Sequence, residues 1–248
     1  MRVFTRIICG LLVLSSLPSC SAPEAKEPDE SQIVTEYNRK AADFPKPVCE
    51  PGAKVRQPRI LDASPQYFPL TLLKPTIACP AEAQCRGQMV ALQYDWFSGM
   101  LRAAYEPSFT QKRHEEGDRY NAHYRVMVLP TFEHPIIVRF DIGPQGGKLV
   151  ASLLSGAGGY QPGKVIRRVD RAITAAELAK LKGLVSQNEL RNLPTSICWG
   201  GLDGKETVFE FLDASGYKVM HRWEVARPLA KLESFALSLT GWDDLHAT

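Results

Sequence analysis

Residues 122–154 run AHYRVMVLP, TFEHP, IIVRFDI, GPQGG, KLVASLL. In the first segment Tyr124, Val126 and Val128 alternate with Arg125 and Met127. In the third, Ile136, Val138, Phe140 and Ile142 alternate with Ile137, Arg139 and Asp141. A strand turns successive side chains to opposite faces, so period-2 alternation marks a strand with one buried and one wetted face. The spacers carry Pro or paired Gly, the residues that reverse a chain. The expectation is strands at Ala122–Leu129, Ile136–Ile142 and Lys148–Leu154, followed by a fourth at Lys164–Asp170.

The flanking sequence supplies helices and a second hairpin. Val90–Tyr105 places Gln93, Phe97, Met100, Leu101 and Ala104 on one helical stripe, and Pro107 ends the run. Gly99 inside it costs about 1 kcal/mol against Ala. Thr174-Ala175-Ala176-Glu177 has the spacing of a capping box, and Leu178, Leu181 and Val185 give that helix its apolar side. Glu206–Leu212 and Tyr217–Trp223 flank Asp213-Ala214-Ser215-Gly216 as a hairpin. Pro228 suits a first helical position, ahead of Leu229, Leu232, Phe235 and Leu239. Four strands, a helix, a hairpin and a helix predict an α+β fold. Its sheet is largely antiparallel with about six strands, two or three packed helices and a Pro-rich N-terminal arm.

The N-terminus predicts export. Arg2 and Arg6 precede the apolar run Ile7–Leu17. As a helix that run rises about 16 Å, short of the roughly 30 Å hydrocarbon core, so it reads as a signal peptide. Leu17-Pro18-Ser19-Cys20 resembles the lipobox of bacterial lipoproteins, with Pro18 departing from the usual small residue. The resemblance implies cleavage before Cys20 and its acylation, and Ser21 after it implies sorting to the outer membrane. Ordinary cleavage after Ala22 is the alternative. The expected divisions are signal peptide 1–19, flexible tether 20–32, Pro-rich arm 33–88 and one α+β domain 89–248. Within the arm, eight prolines lie between Pro45 and Pro80, with a short helix expected at Ile33–Ala42 and an edge strand at Val55–Leu61.

Loss of Arg2 and Arg6 leaves 28 basic against 27 acidic side chains, a balance that argues against a nucleic-acid partner. Cys49, Cys79, Cys85 and Cys198 remain in the exported chain, an even number suited to an oxidising compartment. Of three pairings, Cys79–Cys85 closes the shortest loop and leaves Cys49–Cys198 to fasten the arm. No Cys-x2-Cys spacing and no His at ligand spacing suggests zinc.

No catalytic motif is present. Gly158-Gly159-Tyr160-Gln161-Pro162-Gly163-Lys164 begins like a phosphate-binding loop, but Val165 stands where Ser or Thr would hold Mg²⁺ and a strand follows, so no nucleotide is expected. The sequence has neither His-Glu-x-x-His nor Gly-x-Ser-x-Gly, and the acidic run 114–118 reads as a solvated loop. Glu106, Asp141, Asp203 and Glu210 are the carboxylates that could pair for hydrolysis, which needs separations of about 5 or 6.5–9.5 Å. Arg125, Arg139, Arg168 and Arg222 lie on predicted strands and read as a wetted face of mixed charge, the alternative being an anion-binding surface.

Trp96, Glu106-Pro107-Ser108, Tyr124-Arg125, Phe132-x-His134-Pro135, Arg139, Gly158-Gly159-Tyr160, Asp203-Gly204, Glu210, Tyr217 and Arg222-Trp223 together resemble a family of exported lipoproteins of Gram-negative bacteria. Val208 departs from that pattern, where Trp is expected. The resemblance implies no activity and no cofactor. It offers Glu106, Arg125, His134, Arg139 and Glu210 as a candidate binding site. The function expected is that of a lipid-anchored, periplasm-facing binder of an envelope protein, of immunity or inhibitor type, with Trp96, Trp199, Trp223 and Trp242 as candidate anchors. A peptidoglycan or glycan hydrolase with a Glu/Asp pair and an envelope structural factor are the alternatives.

Overall fold

Turns that contain Gly or Pro fold consecutive strands back on one another in two groups, and the sheet that results is wholly antiparallel. In the computed structural model, the described residues are 65–72, 91–112, 120–197, 203–223 and 225–242, with Asp29, Gln32 and Met89. The strands are β1 (Ala122–Pro130), β2 (Ile136–Gly143), β3 (Gly146–Leu154), β4 (Val165–Ala172), β5 (Lys205–Asp213) and β6 (Gly216–Arg222). They form one six-stranded sheet in the order β4-β3-β2-β1-β5-β6. The first four strands form a meander. The β5–β6 hairpin returns to pair with β1, so β1 lies in the interior of the sheet.

The helices are α1 (Ala91–Ala103), α2 (Phe109–Lys112), α3 (Ala175–Val185), α4 (Asn188–Asn192) and α5 (Leu229–Ser238), with a 3₁₀ turn at Leu70–Leu72. The α+β class and the six-stranded antiparallel sheet are as the sequence predicts. At α3 the expected capping box is formed: the Glu177 amide donates to Thr174 Oγ1 at 3.2 Å, and Glu177 Oε2 accepts from the Thr174 amide at 2.7 Å. Pro228 stands at the N-cap of α5, one place earlier than expected.

One expectation is overturned. The strands do not keep a wetted face: β2 is buried at every residue, and β1 and β5 at all but their ends. One face carries Val126, Val138, Phe140, Leu149, Phe209 and Met220 against α3 and α5. The other carries Met127, Leu129, Ile137, Leu154, Val208 and Val219 against Tyr94, Phe97, Met100 and Leu101 of α1. Tyr67 and Phe68, from the Pro-rich arm, complete this second core at 2% and 0% exposure. Two helical layers therefore cover the sheet, and the polar residues of the alternation are inside. Only the edge strand β4 is exposed along most of its length.

The two edges differ. Beside β6, the His221 amide donates to Thr195 O at 2.8 Å, and Arg222 donates to Thr195 O at 3.1 Å and Pro194 O at 2.9 Å. The outer strand β4 carries Arg167, Arg168, Asp170 and Arg171, with Lys148 pairing Asp170 at 2.9 Å.

The signal segment, Cys20, the expected helix at 33–42 and strand at 55–61, Trp199 and the cysteines at 49, 79, 85 and 198 lie outside the described residues. Of the tether, Asp29 makes a parallel backbone bridge to Arg227. Among the described residues no helix is long and apolar enough to cross a membrane.

Candidate functional site

Register brings together residues far apart in sequence. Arg125 on β1 lies directly opposite Arg139 on β2 and Glu210 on β5, so the three form one row on the face beneath α1. Glu106, in the turn that follows α1, reaches into the row from above. Its Oε2 accepts from Arg139 Nε at 2.9 Å and from Arg125 Nη1 at 3.3 Å. Arg125 Nε donates to Glu210 Oε2 at 2.7 Å, and Nη1 also donates to Pro107 O at 2.9 Å. The Tyr217 hydroxyl donates to Glu210 Oε1 at 2.9 Å. Phe109 of α2 closes the top, its ring centre 4.2 Å from the Arg125 guanidinium carbon.

Four of the five candidate residues are thus in one cluster. The fifth, His134, is not. It is exposed in the β1–β2 turn, at the opposite end of the strands, where its Nδ1 meets Gly156 O at 2.9 Å. The cluster also contains a pair that the sequence reading does not join, although Asp141 is among its candidate carboxylates. His123 Nδ1 donates to Asp141 Oδ1 at 2.6 Å, and Asp141 Oδ2 accepts from Arg139. A second such pair lies further along the same face, His221 Nδ1 donating to Glu206 Oε1 at 2.7 Å beside the Phe97 ring. Their signal was present in the strand alternation, where one-face positions held His and Asp or Glu, but a wetted face would explain that equally well.

The arginines are likewise not a wetted face. Arg125 is 1% exposed, Arg139 9% and Arg222 1%; of the four arginines singled out from the sequence Arg168 alone is exposed. Burial of a guanidinium is tolerated because each has carboxylates or carbonyls to donate to. Arg222 points to the opposite face and donates to backbone carbonyls.

Electrostatics follow from this enclosure. Burial works against the Arg125 charge, but Glu210 and Glu106 outweigh it and hold its affinity for the proton above the ordinary value. Burial raises the Glu210 carboxyl, with Arg125 and Tyr217 pulling the other way. Burial and then the Glu210 charge push the Tyr217 hydroxyl well above its usual range. Two guanidiniums face three carboxylates, and Glu106 Oε1 is buried with no hydrogen-bond partner among the described residues.

Such a cluster is poorly suited to hydrolysis. A glycosidase carboxylate must reach the scissile bond or a water, whereas Glu106 and Glu210 are 4% and 1% exposed and both engage Arg125. Asp141 is taken up by Arg139 and His123, and Asp203 is exposed in the turn before β5, away from the row. Among the described residues no three His, Cys, Asp or Glu side chains form a metal site. A cavity of about 550 Å³ opens beside Tyr120 and the β2–β3 turn, 143–147. The described part of its wall is a Gly-rich turn without a charged side chain.

The remaining motif residues gather elsewhere. Phe132, His134, Gly158-Gly159-Tyr160 and Gly204 lie on three loops at the end of the sheet where β1 meets β2. Thr131 joins two of them: its amide donates to Gly204 O at 2.8 Å, and its Oγ1 accepts from the Gly204 amide at 3.1 Å. The Gly158 amide donates to Glu133 O at 2.9 Å and the Gly159 amide to Thr131 O at 3.1 Å. Trp96 Nε1 donates to Gly158 O at 2.6 Å, tying α1 to the same loops. The segment that begins like a phosphate-binding loop is this β3–β4 connection, and it leads into a strand.

Compared with protein-family models and with curated proteins, the chain matches none.

Proposed function

We propose that the protein is a lipid-anchored, periplasm-facing lipoprotein of the outer membrane that acts as a non-catalytic binder of an envelope protein. The observation that carries this reading is the fate of the carboxylates. Glu106, Glu210 and Asp141 are buried and bound by Arg125 and Arg139, so they serve the interior instead of a substrate. The export signal and the lipobox-like Leu17–Cys20 support the location, and the acidic and Pro-containing tether supports a body held off the membrane. An immunity or inhibitor role against a secreted wall hydrolase is the concrete form we favour.

The test is gentle cross-linking of cells carrying the full chain, capture through a C-terminal tag and identification of the bound proteins. A near-stoichiometric protein partner, with membrane attachment lost in Cys20→Ala, is the expected result. A blank capture, or soluble fragments released from purified sacculi by the protein itself, would overturn the reading.

A further inference from the structure

We infer that the loop end carrying Phe132 and Tyr160 is the interaction surface of this chain, and that its partner is a protein presenting a basic segment; the inference rests on the binding role proposed above. Phe132 and Tyr160 are 65% and 62% exposed, and their rings stack against each other at 6.0 Å between centres and 30° between planes. Leu92, 62% exposed, lies one turn before Trp96 on the same flank of α1. Large aromatics displayed together are the side-chain types that dominate protein interfaces, and their display is unfavourable without a partner.

The display is built. A Cβ on Gly158 would lie 2.3 Å from Pro130 O, one on Gly156 1.8 Å from Gln161 O, and one on Gly159 2.9 Å from Thr131 O. The loops therefore pack backbone to backbone, and the two rings stand on a surface already ordered before any partner arrives. Preorganisation of this kind lowers the entropy cost of association.

Charge selects the occupant. Glu133, between Phe132 and His134, is exposed, as is Asp203 beside Gly204; among the described residues the cations of these loops are the exposed Lys164 and the half-exposed Lys205, the latter paired with Glu233. Aromatic ring faces next to carboxylates suit Arg or Lys, which can lie over a ring while pairing with the acid. The exposed arginines of the sheet are on β4 instead.

The experiment places a photoreactive amino acid at Phe132, Tyr160 or, on the other side of the sheet, Ala179 in the full-length chain, and irradiates cells producing it. The result expected is a discrete protein adduct from positions 132 and 160 but not 179. Its cross-linked peptide should contain Lys or Arg, and its yield should fall at least tenfold on Glu133→Lys with the far-ultraviolet spectrum of the protein unchanged. A protein adduct from 179 alone would overturn the surface while leaving the binding role standing. An adduct indifferent to Glu133→Lys would overturn the basic partner. Adducts that a muramidase digests away, or none at any position, would overturn the surface and the protein-binding role together.

Discussion

Arg125 and Glu210 are direct register partners on adjacent strands, and Arg125 Nη2 lies 2.5 Å from Glu210 Oε2 with both side chains out of contact with water. An ion pair so enclosed gains Coulomb energy in a medium of low polarity, but both partners forfeit hydration. The gain is recovered only if every partner is present. Arg125→Ala leaves Glu106 and Glu210 without their shared cation and should cost about 3–5 kcal/mol. Arg171→Ala breaks the half-exposed pair with Glu177 and should cost no more than about 1 kcal/mol. Chemical denaturation of both variants checks the contrast; equal losses would show that enclosure is not what makes the row matter.

The capping box of α3 gives a prediction in acid. Hydrogen bonds from Arg171 and the Thr174 amide hold the Glu177 carboxyl down at about 2, against an unfolded value near 4.5. A depressed carboxylate stabilises the fold above its unfolded value, and that contribution is lost as pH falls from about 4.5 through about 2. Glu177→Ala should therefore lower stability by about 1 kcal/mol at neutral pH and by progressively less toward pH 2. Urea midpoints at several pH values test this; a difference that stays constant into acid would sink it.

Alkali acts on the opposite core. Burial, and after it Asp213, raises the Tyr124 hydroxyl to about 12 from an ordinary value of 10.0. Between those values the unfolded chain has released the proton and the folded chain has kept it. The stability due to neutral Tyr124 is present below pH 10 and is lost between about 10 and 12. Tyr124→Phe should flatten that part of the stability curve, and parallel curves for the two proteins would refute the assignment.

Two glycines predict opposite signs. Gly183 in α3 has nothing within 4 Å of a Cβ built on it, so Gly183→Ala should stabilise by about 0.5–1 kcal/mol through helix propensity. Gly158→Ala drives a methyl group onto the backbone of Leu129 and Pro130 and should destabilise by about 1–3 kcal/mol. Thermal unfolding of the two variants settles both signs.

What was legible in the sequence was the part governed by local periodicity. The alternation at Tyr124, Val126 and Val128 located β1, and the Phe97, Met100, Leu101 and Ala104 stripe located the buried side of α1. Alternation cannot tell water from a second covering layer. Arg125, Arg139 and Asp141 read as solvated because the sequence does not show that Glu106, Pro107 and Phe109 close over the row. The motif resemblance groups Glu106, Arg125, Arg139 and Glu210, whereas His123 with Asp141 and His221 with Glu206 meet only through strand pairing. The same motifs group His134 with the others, yet it is on the far loops, because a strand carries its two ends to opposite sides of the body.

The outer strand β4 has one further consequence. An unpaired sheet edge is a template on which another copy of a chain can polymerise, and among the described residues no strand pairs with the outer side of β4. Between positions 167 and 171 β4 carries three arginines and one aspartate, with Arg171 paired to Glu177 and Asp170 to Lys148, so two such edges meet with an excess of positive charge. Repulsion between the exposed charges of this edge therefore opposes its self-pairing, an opposition that weakens in concentrated salt.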